Sequence, residues 1–342
     1  MRTESSVWKI ISLIILVSLL IAACQSATPE GEEEIIIGAG GQEVSSEEGD
    51  ITPTPLPTLT PFPTSTQTPV PSPTLPPTAT SDPFEAHMAN ADQFVKENEL
   101  DKALAEFEAA LALQPESTDV YGARGTAYLD FNKFDEAIED FTKIITINPD
   151  SARSYSYRGI AYAQKKNFDL SFADFNKALE LDPQDPQIYV NRALTYIGNN
   201  QWDVAKTDFD KAIELDPENA IAFNYRGTLN GLLGYQDLAE SDLNKAIELA
   251  PEESEFYYNR GIFFSSINEM EKAIADLSRA IELNPKFESA YMSRGIAFAD
   301  MGQDQNAIND LNQALEYTFN PEIRKDIINY LIELGVTVEE NQ

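Results

Sequence analysis

Residues 211–217 read Lys211-Ala212-Ile213-Glu214-Leu215-Asp216-Pro217, a mixed apolar and charged run stopped by a proline. The proline decides the fold. It recurs every 34 residues along most of the chain, as Pro115, Pro149, Pro183, Pro217, Pro251 and Pro285. Unrelated loops would not keep such a count, so one structural unit is copied in tandem. A fixed period in this range marks a solenoid, in which each unit packs mainly on its neighbours. Surfaces of that kind generally bind partners and seldom carry out chemistry.

Set on this period, the chain divides into seven units that start at Phe84, Thr118, Ala152, Pro186, Ala220, Ser254 and Glu288. Each reads as two amphipathic helices joined by a short turn. Small residues hold position eight (Ala91, Gly125, Gly159, Ala193, Gly227, Gly261, Gly295) and position twenty (Ala103, Ala137, Ser171, Ala205, Ala239, Ala273, Ala307). Position twenty-seven is alanine throughout except for Ile144. Small residues there let two helices approach closely. Aromatic residues recur at position four, and Phe107, Phe141, Phe175, Phe209, Leu243, Leu277 and Leu311 fill position twenty-four. The spacings are three and four, and nothing alternates with period two.

This period and this order of small and large residues resemble the tetratricopeptide repeat, over residues 84 to about 317. The resemblance implies an all-α, right-handed superhelical solenoid of seven helix-turn-helix repeats, residues 84–321, followed by a C-terminal cap helix and tail, residues 322–342. A cap is expected because each unit buries little alone and an open end needs a polar cover. Ile323, Ile327, Ile328, Leu331 and Leu334 trace one apolar face of that last segment.

Two charged columns run through the array. Arginine holds position seven of units two to seven (Arg124, Arg158, Arg192, Arg226, Arg260, Arg294), and aspartate holds position twenty-three (Asp140, Asp174, Asp208, Asp242, Asp276, Asp310). In unit one both change together, to Asn90 and Glu106. A joint change points to a structural ion-pair ladder between helices, with an anion-binding arginine stripe as the functional alternative.

The family's geometry places first helices on a concave face, with positions two, five, six, nine and twelve inward. That makes Tyr157, Asn191, Tyr225 and Asn259 at position six, with Asn224, Tyr258 and Met292 at position five, the candidate groove residues. The asparagines resemble those that hold an extended peptide backbone in relatives, and the tyrosines add apolar area with a hydroxyl. Ordinary groove lining without a ligand is the plain alternative. Met88 and Asp92 depart from the pattern of relatives that clamp a terminal carboxylate.

Chemistry has little to stand on. His87 is the sole histidine, at the position held elsewhere by aromatics, and reads as a packing substitute. With one cysteine there is no Cys–His pair and no zinc set, so no enzyme, metal or cofactor is expected. The net charge of −33 repels phosphate backbones and argues against nucleic acid.

The front end is of another kind. Arg2 and Lys9 precede an apolar run, 10–21, which is short of the roughly 20 residues of a spanning helix. It ends in Ile21-Ala22-Ala23-Cys24, which resembles a bacterial lipobox. The resemblance implies a lipoprotein signal peptide over 1–23 and a lipid on Cys24, with an uncleaved anchor as the alternative. Gln25 stands where the family's inner-membrane retention signal has Asp. Residues 24–83 read as a disordered tether, acidic at first and then rich in Pro and Thr, with eleven prolines between 53 and 83. Extended at about 3.1 Å per residue, the proline stretch would hold the array up to roughly 90 Å from a membrane.

The functional expectation is a lipid-anchored scaffold at the bacterial cell envelope, facing outside the cytoplasm, which binds a protein or peptide partner in its groove. A module that binds cell-wall glycan or senses a peptide ligand is the alternative.

Overall fold

A computed structural model describes residues 82–337. The signal segment, Cys24, the tether up to 81 and the last five residues lie outside them. The described residues form fifteen α-helices. In chain order they are α1 (Pro83–Lys96), α2 (Leu100–Leu113), α3 (Thr118–Asp130), α4 (Phe134–Ile147), α5 (Ala152–Gln164), α6 (Phe168–Leu181), α7 (Pro186–Gly198) and α8 (Trp202–Leu215). There follow α9 (Ala220–Leu232), α10 (Gln236–Leu249), α11 (Ser254–Ser266), α12 (Met270–Leu283), α13 (Glu288–Asp300), α14 (Asp304–Tyr317) and α15 (Pro321–Glu333). Seven helix pairs stack in order, and α15 packs on the last pair.

The two helix ends within each unit are set by different chemistry. First helices of units one to five begin on a side-chain cap: Asp82, Ser117, Ser151, Asp185 and Asn219 each accept a hydrogen bond from a backbone N–H of the first turn. All seven first helices are followed by a left-handed residue at position fifteen, Asn98, Asn132, Lys166, Asn200, Gly234, Asn268 and Gly302 in turn. The next N–H reaches back five residues, as in Lys133 N to Tyr128 O at 2.7 Å, which satisfies a carbonyl left over at the helix end. Second helices stop two residues before the periodic proline. The residue between is extended, Asp216 at φ −133°, because proline disfavours helical geometry in its predecessor.

The small residues at position twenty are all completely buried, and so are those at position twenty-seven outside unit two. Ser171 keeps its hydroxyl satisfied there by donating to the Gly159 carbonyl at 2.7 Å. Position eight meets position twenty-four of the same unit. A β-carbon added at Gly227 would lie 2.9 Å from Leu243 Cγ and 3.0 Å from the Leu243 backbone nitrogen. Backbone cannot swing aside, so the gain in helix propensity is outweighed by overpacking. Gly227→Ala is expected to lose about 1–2 kcal/mol of stability in a urea titration. An equal or higher midpoint would show that α9 and α10 can separate without penalty.

Helix α15 buries Ile327 and Leu331 against Met292, Ile296, Leu311 and Ala314. Ile323 and Leu334 pack at its edges, as does Tyr330, whose phenol is pushed up to about 12 by burial and by nearby carboxylates. Ile332, outside the expected apolar face, points to solvent.

Candidate functional site

The arginine and aspartate columns meet in all six units where both occur. Each guanidinium donates two parallel bonds to its aspartate, Nε to Oδ2 and Nη2 to Oδ1, at 2.7–2.9 Å. This forked geometry fits arginine and a carboxylate, where lysine would make a point contact. The aspartates are buried. Hydrogen bonds to Asp140 hold the Arg124 guanidinium above its ordinary range, and Asp174 and Asp276 do the same for Arg158 and Arg260.

A third member of this set lies at position twenty-five of the preceding unit. Nη1 of Arg158, Arg192, Arg226, Arg260 and Arg294 donates to Thr142, Asn176, Asp210, Asn244 and Ser278, at 2.7–3.0 Å. Each arginine therefore ties its own unit to the one before it. Rings at positions four and eleven flank the guanidinium, as Tyr189 and Tyr196 do for Arg192 at 5.7 and 5.9 Å. In unit five Asn230 replaces the second ring and donates to Asp242 at 3.1 Å. The third column escapes a sequence reading because Thr, Asn, Asp and Ser share only a polar atom at fixed spacing.

Unit one keeps the ladder with other residues. His87 Nδ1 lies 2.6 Å from Glu106 Oε2, and Asn90 reaches the same oxygen only at 3.5 Å. The histidine thus does more than fill space: it stands in for the arginine, one helical turn earlier. Its hydrogen bond is the main cause holding the Glu106 carboxyl below its usual range.

The seven groove candidates are divided by burial. Asn191, Asn224, Tyr225, Tyr258 and Met292 are buried between units, while Tyr157 and Asn259 are half-buried at the surface. Stacking of consecutive first helices is the reason. Asn191 Nδ2 donates to Ser156 Oγ at 3.3 Å, and Asn259 Nδ2 donates to Asn224 Oδ1 at 3.1 Å, each across a unit boundary. Tyr157 stacks on Phe141 of the unit before, with centroids 5.3 Å apart, and Tyr225 on Phe209 at 6.1 Å. Positions five and six thus spend most of their surface on the seam. Glu255, at position two of unit six, is half-buried, and burial pushes its carboxyl up with Glu253 adding to the effect.

A cavity of about 110 Å³ opens on this first-helix face between α5 and α7. Ile160, Ala163 and Leu194 give it an apolar floor, and Gln164, Lys166 and Asn191 supply polar groups. Of the seven candidates only Asn191 lines it. Such a site suits an apolar side chain with a carbonyl or carboxylate beside it, through burial on one side and amide and ammonium donors on the other. Among the described residues no group of three or more His, Cys, Asp or Glu is placed to hold a metal ion. No described helix is long and apolar enough to cross a membrane.

The stacked helix pairs, small-residue seams and capped end define a helical-repeat solenoid. Tetratricopeptide repeat models match residues 88–152, 123–186, 186–219, 254–287 and 288–321, and the chain belongs to the tetratricopeptide repeat family. Solved structures agree at the level of the fold. A tetratricopeptide repeat protein from Parabacteroides merdae is similar with a TM-score of 0.57 at 20% identity, over 73% of this chain and 99% of that one. The Cut9–Hcn1 hetero-tetramer of APC/C gives 0.57 at 19%, over 73% of this chain and 50% of that one. Yeast Tom70 gives 0.52 at 20%, over 78% and 67%. No curated protein matches the chain.

Proposed function

We propose that this protein is a lipid-anchored scaffold of a bacterial cell envelope, and that its first-helix face takes up a segment of a protein partner. The observation that carries the binding half is the cavity between α5 and α7, an apolar hollow beside Gln164, Lys166 and Asn191 in a fold built for display. The anchoring half is supported by the order of residues 1–24, with its basic start, short apolar run and Ala22-Ala23-Cys24. Thioether and amide-linked acyl chains together hold a protein where a single chain would not. The proline-rich stretch sets the height of the array and raises its local concentration near partners in the same envelope.

A cavity-filling variant tests the binding half. Ala163→Phe in the full chain is expected to reduce capture of envelope proteins by a photo-crosslinker at Gln164 by about tenfold, with the melting temperature unchanged. Equal capture by the variant, or adducts with wall polymer alone, would overturn the reading. Incorporation of labelled palmitate, lost in Cys24→Ser, tests the anchor. Label retained in that variant would place the lipid elsewhere.

A further inference from the structure

Position nineteen, the third residue of each second helix, changes character along the array. From unit one to unit seven it reads Lys102, Glu136, Leu170, Val204, Leu238, Lys272 and Asn306. Leu170, Val204 and Leu238 are 45%, 44% and 53% exposed. They sit at the same register on three successive second helices, α6, α8 and α10. One turn further on, Ala173, Thr207 and Ser241 are also exposed and uncharged. Exposed Glu136 and Lys272 close the band at its two ends. The seam needs none of these side chains, because the adjacent position twenty already fills it. Single exposed apolar residues are ordinary, but a row at repeat spacing is not.

Tyr235, 52% exposed, extends the band at unit five. It borders a shallow depression of about 380 Å³ together with Gly234, Gln236, Asp237 and Leu238. That hollow sets an aromatic ring and a leucine beside a carboxylate. The pairing of carboxylate and apolar side chain recurs along the row, since Asp169, Asp203 and Asp237 immediately precede the three apolar residues, all exposed, while the ring is particular to unit five. None of the three forms an ion pair among the described residues, whereas Asp135 at the same position of unit two holds Lys165.

We propose that this outer row is a second docking surface, separate from the first-helix face, and that it takes a basic amphipathic segment of a protein partner. The partner's apolar side chains would cover Leu170, Val204 and Leu238, and its lysines or arginines would lie against Asp169, Asp203 and Asp237. Charge complementarity selects this occupant. In a chain of net charge −33, an acidic segment is repelled at encounter and a basic one is steered in. A second copy of the chain fits less well. Laid row on row about a two-fold axis, either the aspartate column opposes itself, or Glu136 and Lys272 each oppose their own copies.

The test uses the full chain and a labelled synthetic peptide of about 18 residues, with leucines along one helical face and lysines elsewhere. A peptide of equal composition, scrambled so that the leucines share no face, is the control. Fluorescence anisotropy is expected to show the amphipathic peptide bound, and the Leu170→Ser, Val204→Ser, Leu238→Ser triple variant weakened by about tenfold or more. The Asp169→Asn, Asp203→Asn, Asp237→Asn variant is expected to flatten the salt dependence. Ala163→Phe should leave this binding unchanged, so that failure here and failure of the first-helix site are told apart. All six substitutions are at exposed positions, and unchanged circular dichroism melting verifies that the array is intact. Equal binding of the scrambled peptide, or of the serine variant, would reduce the effect to diffuse attraction and sink the proposal. A dimer in sedimentation equilibrium that the serine variant abolishes would assign the row to a second copy instead.

Discussion

Arg192→Ala is expected to destabilise the array by about 3–5 kcal/mol, among the largest effects of any single substitution in it. Three losses coincide. Asp208, 5% exposed in the intact array, loses both bidentate bonds, the bond to Asn176 of the unit before is broken, and the space between Tyr189 and Tyr196 is emptied. The stranded carboxylate is the larger part. Arg192→Lys should recover little, since an ammonium cannot make the fork. Arg192→Met combined with Asp208→Leu should recover much of the loss by removing both charges. Repeat arrays need not unfold in one step, so hydrogen exchange at α7 and α8 should accompany the urea midpoint. Unchanged protection in Arg192→Ala, with partner capture lost, would instead make the column an anion-binding stripe.

Ending the chain at Phe319 should have an effect of similar size at the other end of the array. It removes α15, and with it the burial of Ile327 and Leu331, which are 0% and 1% exposed. At about 1.5–3 kcal/mol for each large apolar side chain, the loss is about 3–6 kcal/mol, concentrated on α13 and α14. Met292, Ile296 and Leu311 would then face water in place of the cap. Hydrogen exchange should rise in α13 and α14 while α3 to α8 keep their protection, because each unit depends mainly on its neighbours. Uniform loss of protection along the whole chain would show that the array unfolds as one body.

Much of this fold is legible in the residue pattern. The interval of 34 residues, the small residues at positions eight, twenty and twenty-seven, and the joint change at Asn90 and Glu106 each constrain a contact that every unit repeats. Arg124 to Arg294 and their aspartates could be paired because both columns keep their identity. The site was less legible. Position six carries Tyr157, Asn191, Tyr225 and Asn259, which read equally well as ligand-binding groups or as seam residues. Only the neighbouring unit decides between these. Asn191 reaches Ser156, 35 residues earlier, and no local pattern reports that bond.

The unit, its length, its copy number and the alternation of small and large residues are written in the chain, because a tandem repeat prints its local packing in every copy. The tertiary structure decided how the copies meet. It put positions five and six into the seam, added the polar column from Thr142 to Ser278 to the arginine clamps, and left Leu170, Val204 and Leu238 in water on the outer face. Those outcomes depend on the angle at which one helix pair lies on the next. That angle is set by the summed shapes of many side chains, which no single position in the chain records.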